Sequence, residues 1–109
     1  MTNHYQHRIG DDATLTVPIK DGDGAAVNCT TGTITVEARS YVGNTSTIFT
    51  EASTGVTVTG ASTGVTIAFT DAALSGVNPG QYIFNVIRVL SSTTTSYPPD
   101  GAFTLLLLA

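Results

Sequence analysis

The sequence predicts an all-β fold, an antiparallel β-sandwich of roughly seven or eight short strands preceded by an N-terminal arm, and three observations carry the prediction. Apolar and polar residues alternate with period two in several short runs, as in Ala13-Thr14-Leu15-Thr16-Val17-Pro18-Ile19. Gly, Pro, Asn and Asp punctuate the chain about every ten residues, which suits short strands and tight turns. Charged residues make up only 11% while hydrophobic residues reach 41%. Thr, Ser and Gly fill the polar positions, and Thr is a residue that can lie wet on a pleated surface.

At 109 residues the chain makes one domain, residues 13–109, with residues 1–12 as the arm. In the arm, Thr2, His4, Tyr5, His7 and Arg8 are candidate partner contacts, because an apolar-poor segment gains little by ordering itself. His4 and His7 could share a metal only with a carboxylate such as Asp11 or Asp12 or a Cys, and a solvated or partner-bound arm is the plainer reading.

The first strand is Ala13 to Ile19, with Ala13, Leu15, Val17 and Ile19 inward and Pro18 marking an edge. Asp21-Gly22-Asp23-Gly24 is a turn. A calcium loop of the EF-hand type needs a third oxygen ligand and a Glu twelve along, where this chain has Gly32. Thr33 to Arg39 alternates with Ile34, Val36 and Ala38 inward, and Thr47 to Thr50 is a short strand. Ala52-Ser53-Thr54-Gly55-Val56-Thr57 recurs as Ala61-Ser62-Thr63-Gly64-Val65-Thr66, a pattern that a hairpin of Gly55–Thr59 with Gly64–Phe69 explains. Asp71 to Ser75 reads as one helix-like turn that crosses between sheets.

Asn78-Pro79-Gly80-Gln81-Tyr82 then launches the longest strand, through Leu90. Both of its alternating sets are apolar, so both faces should be covered and the strand central. Ser91 to Ser96 reads as a loop tip, and Ala102 to Leu108 as the last strand, antiparallel to the central one. Leu106 and Leu108 break the usual alternation and are candidate docking residues alongside the arm.

Function is largely a matter of exclusion. Four Lys+Arg, scattered in a net charge of −4, argue against nucleic acid, and no apolar run reaches the ~20 residues of a membrane span. Cys29 is alone and suits a small buried hydrophobe. The polar opening, Met1 to Gly10, reads as no secretion leader, so the acceptor-like Asn28-Cys29-Thr30 carries no expectation of glycan. No nucleophile–base pair, metal motif or phosphate loop occurs, so no catalysis and no cofactor are expected. With no Trp, a sugar platform would have to use Tyr5, Tyr41 or Tyr97, all in arm or loop positions.

Several stretches in order resemble a known family: Gly10-Asp11-Asp12; Lys20-Asp21-Gly22-Asp23-Gly24-Ala25-Ala26-Val27; Ile34-Thr35-Val36; Asn78-Pro79-Gly80-Gln81-Tyr82; and Pro98-Pro99-Asp100-Gly101-Ala102-Phe103-Thr104-Leu105. Together they look like the small immunoglobulin-like β-sandwich domains of tailed-bacteriophage virion proteins, of the type at the N-terminus of baseplate upper proteins. The resemblance spans nearly the whole chain and rests on turn and strand signals. It implies a non-enzymatic subunit, made in the host cytoplasm and resident in the virion, whose partners are a major capsid or tail and baseplate protein, in a homo-oligomer or repetitive array. Baseplate upper proteins continue into a fibre-attachment region, whereas this sequence ends at Ala109. The expectation is therefore a capsid decoration (cement) protein, with a baseplate or tail-fibre adaptor, or a carbohydrate- or receptor-binding module, as the alternatives.

Overall fold

A computed structural model describes residues 4–41, 44, 46–99 and 101–109. Nine strands are present among them: β1 His4–Arg8, β2 Ala13–Pro18, β3 Thr33–Arg39, β4 Phe49–Thr50, β5 Val56–Ala61, β6 Gly64–Phe69, β7 Gly80–Leu90, β8 Thr93–Tyr97 and β9 Phe103–Leu108. They form two sheets. The larger runs β1-β9-β7-β3-β4 with β8 also on β7, and the smaller runs β2-β6-β5. Every pair is antiparallel except β1 with β9, which is parallel.

The core lies between the sheets, where the inward sets of the alternating strands meet. Val17, Val36, Ile67, Phe84, Val86 and Phe103 are all buried there, as the period-two reading expects. Phe84 and Phe103 stack with ring centroids 5.0 Å apart, and Phe49 meets Phe69 edge-on at 5.4 Å across the sandwich. Cys29 is a free, buried thiol, 2% exposed, and burial raises its pKa against the opposing pull of the Arg88 charge.

The turns follow local chemistry. Asp21 Oδ1 accepts the backbone N–H groups of Asp23 at 2.9 Å and Ala25 at 3.0 Å, so this carboxylate organises its own loop. The internal repeat is the β5–β6 hairpin, closed at Ala61 and Gly64. Pro18 ends β2, an edge strand, where its missing N–H costs no ladder bond.

The structure departs from the sequence reading in several places. Residues 4–8 of the expected arm are a strand of the larger sheet, zipped to β9 from His4↔Thr104 to Arg8↔Leu108. The helix-like stretch at Asp71 is a series of turns, with Leu74 at a φ of 64°, and contains no helix. Thr93 to Ser96, read as a loop, belong to β8, which pairs with the second half of β7 while β9 pairs with the first. Tyr97, a candidate platform ring placed in a loop, instead ends β8 and is buried, 6% exposed.

β8 and β9 thus lie end to end along one side of β7, interrupted at a cis Tyr97–Pro98 bond. Asn85, opposite the interruption, bridges it: Nδ2 donates to the Tyr97 carbonyl at 3.3 Å and the Gly101 carbonyl at 2.9 Å. Glu51 does a similar service on the other side, where its Oε1 accepts the Val36 N–H at 3.0 Å beyond the end of β4.

Candidate docking surface

β1, β9 and β7 are neighbours in one sheet, so their registers decide which candidate side chains meet. Gln6 lies beside Leu106 and Arg8 beside Leu108 on one flank of β9, while Gln81 lies beside Leu106 and Ile83 beside Thr104 on the other. Alternation puts His4, Gln6, Arg8, Thr104, Leu106 and Leu108 on the outer face of the larger sheet. The same face continues on β7 through Ile83, Ile87 and Val89, whose inward neighbours Phe84 and Val86 are core. Leu106 remains 38% exposed and Leu108 is half-buried.

This face mixes apolar and uncharged polar groups with a few charges, Arg8 at one edge and Glu37 and Arg39 on the interior strand β3. Arg8 sits at the end of β1, near Asp11 with Nε to Oδ2 at 4.0 Å, and it donates through Nη1 to the Ala109 carbonyl. Glu37 and Arg39 pair at 2.8 Å on β3. The Arg8–Asp11 pair is exposed and contributes little stability, whereas the Glu37–Arg39 pair is half-buried. The immediate neighbours of Leu106 are uncharged, Gln6 on one flank and Gln81 on the other, while Arg8 lies beside Leu108 and Arg39 beside Ile83.

Not all of the sequence-predicted residues share the surface. Thr2 lies outside the described residues. Tyr5 and His7 point the opposite way from His4 and Arg8, into the sandwich, because successive strand residues alternate faces. The Tyr5 ring stands 5.8 Å from Phe84 and 6.0 Å from Phe103, and burial raises its hydroxyl pKa. His7, 4% exposed, stacks on Phe69 of the opposite sheet at 4.3 Å. Its buried Nε2 has no hydrogen-bond partner among the described residues. Desolvation lowers the His7 pKa, and the Asp11 charge offsets part of that shift. His4 and His7 therefore face opposite sides of the sheet and cannot share a metal.

Sequence reasoning missed Ile83, Ile87 and Val89 as members of this surface. An apolar outward set on a central strand reads as a second buried face, and only the absence of a covering layer among the described residues shows otherwise. It also missed the inward period of Tyr5, His7 and Ile9, a signal that was present but masked by the polar residues between them.

Two concavities lie elsewhere among the described residues. A cleft of about 230 Å³ lies between the Lys20–Gly24 turn and Pro98–Pro99, with Lys20 and Asp21 as its titratable lining groups. A shallow groove of about 400 Å³ near Phe49, Leu74 and Val77 has none. Among the described residues, no group of three or more His, Cys, Asp or Glu side chains is placed to hold a metal ion. No described helix is long and apolar enough to cross a membrane. No family model, curated protein or solved structure matches the chain.

Proposed function

We propose that this protein is a non-enzymatic accessory subunit of a tailed-phage virion, a capsid decoration protein that docks on the major capsid protein through the outer face of β1, β9 and β7. One observation carries the docking part of the reading: the strip of Ile83, Ile87, Val89, Leu106 and Leu108, with Gln6, Gln81 and Thr104 beside it, on a face that no other layer covers among the described residues. The virion part rests on the resemblance of the turn and strand motifs. The fold that this resemblance implies is supported by the strand order: β2-β6-β5 opposite β9-β7-β3 follows the B-E-D and G-F-C orders of an immunoglobulin-like sandwich, and strand order bears on fold alone.

The energetics favour a repetitive target. Full burial of a Leu side chain contributes ~1.5–3 kcal/mol, but Leu106 keeps only 38% of its surface to lose, so its share is about 1 kcal/mol. A few such contacts hold a subunit weakly on one site. On a lattice, where linked subunits engage neighbouring sites together, effective concentration turns weak contacts into stable occupancy.

The experiment is a Leu106→Ser, Leu108→Ser variant, first shown by circular dichroism and thermal melting to keep the wild-type fold. It should stay soluble and fail to occupy capsids that the wild-type protein decorates. Normal occupancy by the variant sinks the proposed face. Wild-type protein that binds purified tails and leaves capsids bare moves the function to a tail adaptor. Binding to neither, with retention on host-surface glycan instead, moves it to a receptor-binding module.

A further inference from the structure

The β7–β8 hairpin carries an edge that the fold does not defend. Thr93, Thr94, Thr95 and Ser96 are all exposed, on both faces of the strand. Successive residues point to opposite sides, so exposure of all four means that the hairpin overhangs the smaller sheet. Among the described residues, β8 pairs only with β7. Its register closes at Leu90↔Thr93 around Ser91 and Ser92, whose φ values of 51° and 67° fit a two-residue type I′ turn. The pair flanking such a turn is hydrogen-bonded, and bonding alternates from there. Thr93, Thr95 and Tyr97 thus spend their backbone groups on β7. Thr94 and Ser96 direct theirs outward, away from the sheet.

Exposed edges are normally blunted by charge, proline, shortness or cover, and the other edges here follow that rule. β2 ends in Pro18, β4 has two residues, and β1 carries His4 and Arg8. β5 is crossed at its end, where the Cys29 N–H donates to the Ala61 carbonyl at 2.8 Å. From Leu90 to Tyr97 there is no Lys, Arg, Asp, Glu, Pro or Gly. The strand is instead three Thr, a Ser and Tyr97, and Thr and Tyr have high strand preference.

We infer that β8 is a self-association edge, pairing antiparallel with β8 of a second copy across a two-fold axis at Thr95. That register sets Thr94 opposite Ser96 of the second copy and Ser96 opposite its Thr94. Both outward-facing residues of each chain are then used, making about four intermolecular backbone hydrogen bonds. Hydroxyl residues meet hydroxyl residues throughout, a favourable cross-strand combination with no like-charge conflict. The two larger sheets become one continuous sheet. A second copy fits this edge because the strand is nearly palindromic in chemistry, and an antiparallel pair places each residue against one of its own kind. The contact is small, so the dimer is reversible. It does not rest on the virion reading. A monomer could still decorate a lattice through β1 and β9, and a dimer could form in a protein that never meets a capsid.

Sedimentation over a concentration series tests it. The wild-type protein should move from the chain mass toward twice that mass as concentration rises. A Thr94→Lys, Ser96→Lys variant changes only exposed side chains and brings Lys against Lys on both sides of the axis. It should remain monomeric at every concentration, with an unchanged melting temperature. A Thr95→Cys variant treated with diamide, which oxidises two thiols to one disulfide, should give covalent dimer faster than Thr16→Cys on the exposed edge of β2. Wild-type protein that stays monomeric throughout, a dimer that survives the double Lys change, or equal trapping at positions 95 and 16 overturns the inference.

Discussion

Leu105 and Leu106 are adjacent, chemically identical and placed on opposite faces of β9, so truncating each in turn tests the register of the whole edge. Leu105 is 0% exposed and packs in the core, whereas Leu106 is 38% exposed on the outer face. Leu105→Ala removes buried methyl groups and leaves a cavity among side chains that relax only in part, at a cost of ~2–5 kcal/mol. Leu106→Ala removes a side chain that solvent already reaches and should cost less than about 1 kcal/mol. Unfolding entropy near 2.1 cal/mol/K per residue makes each kcal/mol worth about 4–5 °C in a chain of 109 residues. Leu105→Ala should therefore lower the melting temperature by about 10–20 °C, and Leu106→Ala by less than about 5 °C. Thermal unfolding followed by circular dichroism reads both. Equal losses, or a larger loss at Leu106, would mean that β9 is slipped by one residue, and the docking face would be lost with it.

Three further outcomes follow from particular side chains. His7 is buried with its pKa held below the ordinary value, chiefly by desolvation, so the unfolded chain takes up a proton before the folded one does. Stability contributed by neutral His7 is present above the unfolded pKa of ~6.5 and is lost as pH falls through the folded value. His7→Phe keeps the ring on Phe69 and should flatten the dependence of melting temperature on pH just below that point; an unchanged slope assigns it to other groups. Ser91→Asn with Ser92→Gly gives the type I′ turn residues suited to positive φ, and should raise stability by ~1–2 kcal/mol in urea unfolding, whereas a loss would contradict the assigned turn. Asn85→Leu takes the donor away from the Tyr97 and Gly101 carbonyls and should cost ~1–3 kcal/mol, with faster amide exchange at Tyr97 and Phe103 as the local signature.

Much of the fold was legible because strand chemistry is local. Thr33 to Arg39 alternates so cleanly that its bounds as a strand match the structure residue for residue. The repeat around Ala52 and Ala61 pointed to a hairpin, and Asp21 to a turn, through backbone preferences that need no distant partner. What a strand pairs with is another matter. Nothing in His4 to Arg8 taken alone says that β9 lies alongside to accept it, and a polar pentapeptide with no partner reads as an arm. Once β9 supplies the ladder and Phe69 a stacking surface, the ordering cost is met and His7 goes inside. Ser91 to Ser96 failed as a strand for the same reason, since β7 is what makes it one.

The candidate surface divides along the same line. The sequence by itself determined that Leu106 and Leu108 lack the polar relief of an ordinary outward set, because composition and period are properties of the segment. Only the tertiary structure decided that Ile83, Ile87 and Val89 extend the same strip and that Tyr5 and His7 leave it. Those are facts about which strands are neighbours and whether a further layer lies above them. Burial is a property of the assembled sheet, and a one-residue change of register would reverse it at every position.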